Sequence, residues 1–145
     1  MYSSDSLFSA GEFEWQVRIY YEDTDAGGVV YHAGYLRFME RARTEWLRAL
    51  GFNQSRLRES GVLFAVRTLH LDYRRPARLD DELVVRSRLS DRRRASLTFL
   101  QWIVNPAQGP EPLCEGWVQV ACIDAESFRP RPIPAGLATE MSRER

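Results

Sequence analysis

The segment from Tyr35 to Leu50 carries the one long helical pattern of the sequence, and this pattern constrains the fold most. Its apolar residues recur at intervals of three and four positions, which gathers them on one face of an α-helix. They are Tyr35, Phe38, Met39, Ala42, Trp46, Leu47 and Leu50. The charged residues Arg37, Glu40, Arg41, Arg43, Glu45 and Arg48 are expected on the other face. Such a helix must bury its apolar face against another element of structure.

Strand patterns, rich in β-branched and aromatic residues, lie on both sides of this helix. One precedes it at Glu14–Tyr21, and four follow it, at Leu63–Tyr73, Glu82–Ser90, Ala95–Asn105 and Leu113–Asp124. A short second helix is indicated at 53–60. One antiparallel sheet offers the face that a single amphipathic helix needs. The sequence therefore predicts an α+β protein of the hotdog fold, in which a five-stranded antiparallel sheet wraps one long helix.

The length of 145 residues suits a single domain, predicted over 1–145 with tails at about 1–12 and 126–145. The second tail is predicted because the segment after Asp124 is rich in proline and ends in charged residues. One helix leaves the sheet edges and one sheet face uncovered, so association into at least a homodimer is expected.

Composition narrows the functional classes. The formal net charge is zero, which does not suit general binding of nucleic acid. No segment approaches the roughly 20 apolar residues that span a bilayer. The N-terminus lacks the pattern of a signal peptide, so a cytoplasmic location is expected.

Cys114 and Cys122 are expected to share one strand as free packing thiols. No set of potential ligands has zinc spacing, so no metal is expected.

The loop EDTDAGGVVYHAG, residues 22–34, concentrates reactive side chains before the long helix. It contains Glu22, Asp23, Asp25 and His32. A carboxylate here can attack a carbonyl or activate water, and unpaired N–H groups in the first helical turn can stabilise an oxyanion. The chemistry alone leaves an equal alternative, in which the acidic residues cap the helix or stabilise the turn.

Two stretches resemble one family. The segment from Val17 to Gly51, with its DTDAGGVVYH motif, and the segment DYRRPARLDDELVV at 72–85 resemble the 4-hydroxybenzoyl-CoA thioesterase-like family. More narrowly, they resemble its Tol–Pal-associated acyl-CoA thioesterases, over about residues 14–125. The resemblance implies acyl-CoA as substrate, with CoA part of the substrate and no further cofactor. It also favours a tetramer over a dimer as the homo-oligomer. It implies that Asp25 is the nucleophile or the general base, and that the backbone N–H of His32 polarises the thioester carbonyl.

Further residues are candidates for substrate binding. Tyr31 can line the site, although packing is the commoner role for such an aromatic residue. The turn containing Arg92, Arg93 and Arg94 offers guanidinium groups that suit the phosphates of CoA. A solvated charged turn is an equal alternative for these arginines.

Two glutamates and one histidine are weaker candidates for a catalytic role. A related hotdog branch has its catalytic glutamate on the long helix, where Glu40 and Glu45 lie, but ion pairs with neighbouring arginines explain both. His70 is expected to be an ordinary strand residue. Three other functions stay open: a hydratase or dehydratase of acyl thioesters, a thioesterase acting on acyl carrier protein, and a non-catalytic binding or scaffold protein.

Overall fold

The computed structural model describes residues 11–142. Its helices and strands are β1 (Glu12–Arg18), α1 (Gly34–Ala49), α2 (Gln54–Glu59), β2 (Val62–Tyr73), β3 (Glu82–Arg92), β4 (Ser96–Val104), β5 (Pro112–Asp124) and α3 (Leu137–Ser142). Two short 3-10 turns lie at Tyr21–Asp23 and Pro106–Gln108. No helix in this part of the chain has the length and apolar character to cross a membrane.

The five strands form one sheet in the order β1-β3-β4-β5-β2, and every neighbouring pair is antiparallel. The predicted hotdog fold is confirmed. β1 ends three residues before the predicted Tyr21, because the chain turns into a 3-10 helix in which Asp23 accepts the backbone N–H of Tyr20 at 2.9 Å. The edge strands are β1 and β2, and the Glu82 end of β3 lies beside the end of β1.

Helix α1 buries its apolar face against the sheet, with Phe38, Met39, Ala42 and Trp46 all at most 1% exposed. Arg43, expected on the exposed face, is instead only 9% exposed. Its Nη1 donates a 2.8 Å hydrogen bond to the Gln101 side chain, which itself donates to Ser87 at 2.9 Å. Burial lowers the pKa of Arg43 to about 10. The expectation for Arg43 was wrong because β3 and β4 supply buried polar partners that a helical pattern does not reveal.

Within residues 126–142 the chain packs onto the domain, in contrast to the tail expected over 126–145. Its helix α3 buries Leu137 and Met141 in a core cluster with Phe13 and Trp46. The backbone N–H of Ile133 also donates to the Arg94 carbonyl at 2.8 Å. At the other terminus β1 begins at Glu12, the last residue of the tail predicted over about 1–12, and residues 1–10 of that tail lie outside the described residues.

Candidate active site

The predicted reactive loop is folded as a tight turn between β1 and α1. Thr24 and Val30 form an antiparallel bridge across its base. Inside it, the N–H of Asp25 donates to the Val29 carbonyl at 2.9 Å, and the N–H of Gly28 donates to the Asp25 carbonyl at 3.0 Å. Gly28 has a φ of 79°, which favours glycine. The glycines therefore allow the turn that carries Asp25 at its start.

The Asp25 side chain is held by the turn and is open to solvent. Its Oδ1 accepts a 2.8 Å hydrogen bond from the backbone N–H of Gly27. Within residues 11–142, its other carboxylate oxygen accepts no hydrogen bond. Asp25 thus presents an oriented carboxylate with one oxygen available to a substrate or to water.

The backbone N–H of His32 lies just before α1 and is an unused hydrogen-bond donor. The carbonyl of Tyr31 accepts from the Gly34 N–H at 2.7 Å, and the carbonyl of His32 accepts from the Tyr73 hydroxyl at 2.7 Å. The N–H of His32 donates to no acceptor among the described residues. Helix α1 has no side-chain cap at Ala33. The free N–H therefore lies at the positive end of a 16-residue helix, where negative charge is stabilised.

The His32 ring is exposed and has aromatic neighbours. Its centroid lies 4.3 Å from that of Tyr31 and 6.4 Å from that of Tyr73. Asp25 and His32 lie on the same loop, as expected. Among residues 11–142, however, no hydrogen bond or ion pair joins their side chains. One chain thus offers the carboxylate and the backbone donor without a direct Asp–His pair.

A cleft of about 260 Å³ opens beside His32. Its lining residues are Val30, His32, Tyr35, Tyr73, Arg74, Arg75 and Pro76. Arg74 pairs with Glu115 at 2.7 Å, whereas the Arg75 Nη2 donates to the Glu111 carbonyl at 2.9 Å. Tyr31 is 49% exposed and is not part of this lining.

Tyr73 is the site residue that the sequence reasoning missed. It ends β2, forty-one positions after His32, and nothing in the local pattern distinguishes it from other strand aromatics. Burial raises the pKa of its phenol, so the hydroxyl stays protonated and can donate.

The arginine turn is far from Asp25 within one chain. β3 runs from Glu82, beside the start of the reactive loop, to Arg92 at the opposite end of the sheet. Its length of 11 residues corresponds to about 33 Å. Arg92 contacts Thr139 of α3 at 3.4 Å, and Arg93 pairs with Asp91 at 3.3 Å. The structure therefore does not bring these arginines, or the exposed Arg94, to the Asp25 loop of their own chain.

The helix glutamates and the second histidine are separate from the loop. Glu45 pairs with Arg48, and Glu40 is exposed on α1. His70 contacts Asp72 at 3.2 Å and stacks on Trp117. Being three residues from Tyr73 along a strand, His70 points to the other sheet face.

The cysteines are buried, and burial raises the pKa of the Cys114 thiol to about 12, which disfavours a nucleophilic thiolate. Within 11–142, no three His, Cys, Asp or Glu residues are grouped to hold a metal ion.

Fold and loop together define a hotdog protein of the thioesterase class. A sequence model of the thioesterase-like superfamily matches residues 19–141. The chain belongs to this superfamily.

Individual relatives agree with that assignment. The chain is 47% identical over 131 residues to the acyl-CoA thioester hydrolase YbgC of Escherichia coli O6:H1, covering 90% of this chain and 96% of the relative. It is 47% identical over 123 residues to the acyl-CoA thioesterase YbgC of Haemophilus influenzae, covering 84% and 88% of the two chains. A crystal structure of a probable thioesterase from Bartonella henselae superposes with a TM-score of 0.78 at 38% identity, covering 85% and 99%.

Proposed function

We propose that this protein hydrolyses acyl-CoA thioesters to a free acid and CoA. The observation that carries the proposal is the free His32 N–H at the start of α1, on the same loop as the exposed Asp25 carboxylate. The 47% identity to a relative named as an acyl-CoA thioester hydrolase supports the same activity.

The chemistry has two routes, which differ in the role of Asp25. As general base, Asp25 takes a proton from water while the water oxygen attacks the thioester carbon. As nucleophile, its carboxylate attacks that carbon, the C–S bond breaks, and water then cleaves the mixed anhydride. In both routes the N–H of His32 stabilises the oxyanion, and the CoA thiolate leaves and takes up a proton.

Assembly is part of the proposal, because β2 offers an open sheet edge. Val66 and Leu69 on this strand are 47% and 40% exposed. Antiparallel pairing of β2 with the same strand of a second copy would satisfy the edge and cover these side chains. We therefore propose a homodimer as the smallest active unit, with a tetramer built from two such dimers.

The dimer also gives the arginine turn a role. A two-fold axis through the paired β2 strands reverses the second copy. Its β3–β4 turn, with Arg92, Arg93 and Arg94, would then lie at the same end of the sheet as Asp25 of the first copy. We propose that this turn binds the CoA phosphates of a thioester held by the neighbouring chain, while Tyr31 contacts the same substrate at the loop.

The dimer is tested with charge on the edge strand. Val66→Glu together with Leu69→Glu places like charges across the proposed axis, so light scattering should report a monomer with little activity. Leu79→Glu is the matched control, because Leu79 is 45% exposed and lies outside the strand. A double variant that keeps the assembly of the parent would contradict pairing through β2.

The activity is tested by following thiol release from a series of acyl-CoA substrates, short, long and aromatic, with the same acyl groups on acyl carrier protein and on pantetheine. We expect acyl-CoA to be hydrolysed and Asp25→Asn to be inactive. Faster release from acyl carrier protein would favour that protein as partner. Binding of acyl-CoA without release would favour a non-catalytic role, and hydration of an enoyl-CoA would favour a hydratase.

The cytoplasm is proposed as the location, because CoA thioesters are made and used inside the cell. We also propose an association with the Tol–Pal system, which the sequence resemblance implies.

A further inference from the structure

The phenol of Tyr73 reaches from the end of β2 to the backbone of the reactive loop. Its hydroxyl donates a 2.7 Å hydrogen bond to the carbonyl of His32. We propose that Tyr73 is a positioning residue, which fixes the His32 backbone so that its N–H points at the developing oxyanion. This inference rests on the proposed thioester hydrolysis and adds a residue that acts through His32.

In each of the two peptide groups that flank His32, the carbonyl oxygen accepts a hydrogen bond that holds the group in place. In the first, the Tyr31 carbonyl accepts from the Gly34 N–H at 2.7 Å, within the start of α1. Because a trans peptide is planar, this bond directs the His32 N–H to the opposite side, away from the helix. In the second, the His32 carbonyl is bound by Tyr73. The two bonds together fix the dihedral angles of His32, which decide where its N–H points.

The hydrogen bonds donated by Tyr73 and by Gly34 differ in the part of the fold that holds the donor. Gly34 belongs to the same short segment as His32, whereas Tyr73 is anchored in the sheet. The Tyr73 ring packs edge-on against the buried Tyr35 at 5.6 Å between centroids, and the Tyr35 hydroxyl accepts the Ala77 N–H at 2.9 Å. The Ala77 carbonyl in turn accepts the Val30 N–H at 2.9 Å. This network ties the loop to the sheet on both sides of His32.

Tyr73 is suited to this role rather than to proton transfer. Burial raises the pKa of the phenol, which keeps it protonated, and its proton is already donated to a carbonyl. A bound carbonyl also polarises its peptide group, so the Ala33 N–H next in the chain becomes a stronger donor. Loss of the hydroxyl should therefore leave the His32 backbone less firmly oriented and the Ala33 N–H a weaker donor. The ring would still line the cleft.

The first test is Tyr73→Phe, which removes the hydroxyl and keeps the ring. Removal of a direct oxyanion donor costs 10²–10³-fold in kcat, so loss of a residue that positions one should lower kcat by roughly 10- to 100-fold. KM for acyl-CoA should stay within about two-fold, because the lining is unchanged. The pH profile of kcat should keep its shape, whereas a phenol that donated its proton to the leaving thiolate would change the alkaline limb.

A substrate with sulfur in place of the carbonyl oxygen separates positioning from a general structural effect. The thiocarbonyl of a dithioester is a weak hydrogen-bond acceptor and gains little from the His32 N–H. Tyr73→Phe should therefore slow the oxygen substrate while leaving the dithioester nearly unchanged. Equal slowing of both substrates, or a kcat equal to that of the parent, would overturn the inference.

Amide NMR gives a readout that does not depend on turnover. Without the hydroxyl the Ala33 and His32 amide resonances should shift, whereas Tyr21→Phe should leave them unchanged, because Tyr21 lies just before this loop and is 82% exposed. Unshifted resonances in Tyr73→Phe would refute the positioning role directly. If Tyr73→Phe shifts these resonances as expected but the parent hydrolyses no thioester, the proposed function is refuted instead, and with it the catalytic meaning of this bond.

Discussion

The carboxylate of Asp25 accepts a 2.8 Å hydrogen bond from the backbone N–H of Gly27 and so holds the turn in which both residues lie. The side-chain oxygen of asparagine can accept the same bond. Asp25→Asn should therefore keep the turn and the fold, and remove only the negative charge and the basicity of the side chain. This makes it the sharpest test of the proposed chemistry.

We expect Asp25→Asn to lower kcat by at least 10²–10⁴-fold, the usual cost of losing a general base, and by more if Asp25 is the nucleophile. Thiol release and circular dichroism measure activity and fold. Glu40→Gln and Glu45→Gln are the matched controls, since each replaces one carboxylate on α1, and both should stay within several-fold of the parent. Near-parental hydrolysis by folded Asp25→Asn, or collapse of a control, would move the catalytic carboxylate elsewhere.

His32→Ala should cost less than Asp25→Asn, because alanine keeps the backbone N–H that the proposal uses. The exposed ring lies tilted beside Tyr31 and edge-on to Tyr73, so its loss should reduce activity only partially. The kcat of this variant beside that of Asp25→Asn is the measurement. A folded His32→Ala as inactive as Asp25→Asn would make the imidazole an essential acid or base.

The sequence predicted the sheet and α1 well because each has a strong period and enough length to show it. It failed where a residue's role depends on a distant partner. Arg43 has the charge of a surface residue, and its burial follows from Gln101, which lies on β4, 58 positions away. The bond from Tyr73 to His32 spans 41 positions in the same way. A motif identifies residues within one loop, whereas these contacts exist only once the strand order is known.

Helix α3 was missed for a different reason. It is one short helix of six residues behind a proline-rich run, and two apolar residues four apart are too few to show a period. Leu137 and Met141 nevertheless lie at 0% and 1% exposure.

Each of Leu137→Ala and Met141→Ala should therefore lower the free energy of unfolding by about 2–5 kcal/mol. Thr139→Ala is the control from the exposed side of the same helix and should change it by less than about 0.5 kcal/mol. Urea denaturation followed by tryptophan fluorescence measures all three, because Trp46 lies in the same cluster. Parental stability of both core variants would mean that α3 does not pack on the domain in solution.

The arginine turn makes the most specific prediction about substrate recognition. If Arg92, Arg93 and Arg94 bind CoA phosphates, they contribute to binding and leave the thioester chemistry alone. Changing all three to alanine should raise KM for acyl-CoA by roughly ten-fold, a charge-assisted contribution discounted for solvent exposure, with kcat nearly unchanged. KM of the parent for acyl-CoA should also rise with salt, since screening weakens exposed phosphate contacts.

The matching acyl-pantetheine decides what such a rise means, because it carries the same thioester and lacks the nucleotide. Selective loss of the CoA substrate would support phosphate binding, and equal loss of both substrates would mean that the turn matters for folding or assembly. Arg129→Ala, another exposed arginine, should affect neither.

Because the turn and Asp25 lie at opposite ends of the sheet in one chain, a phosphate contact must also cross between chains. Mixing an Asp25→Asn chain with a chain that lacks the three arginines tests this point. A mixed dimer has one site with both the intact carboxylate and the intact arginine turn only if the two come from different chains. Co-refolding the two variants should therefore restore about a quarter of the parental activity at low acyl-CoA, half of the dimers being mixed and each having one complete site. If carboxylate and turn instead acted within one chain, no complete site would form, and the mixture would show no gain over its separate components.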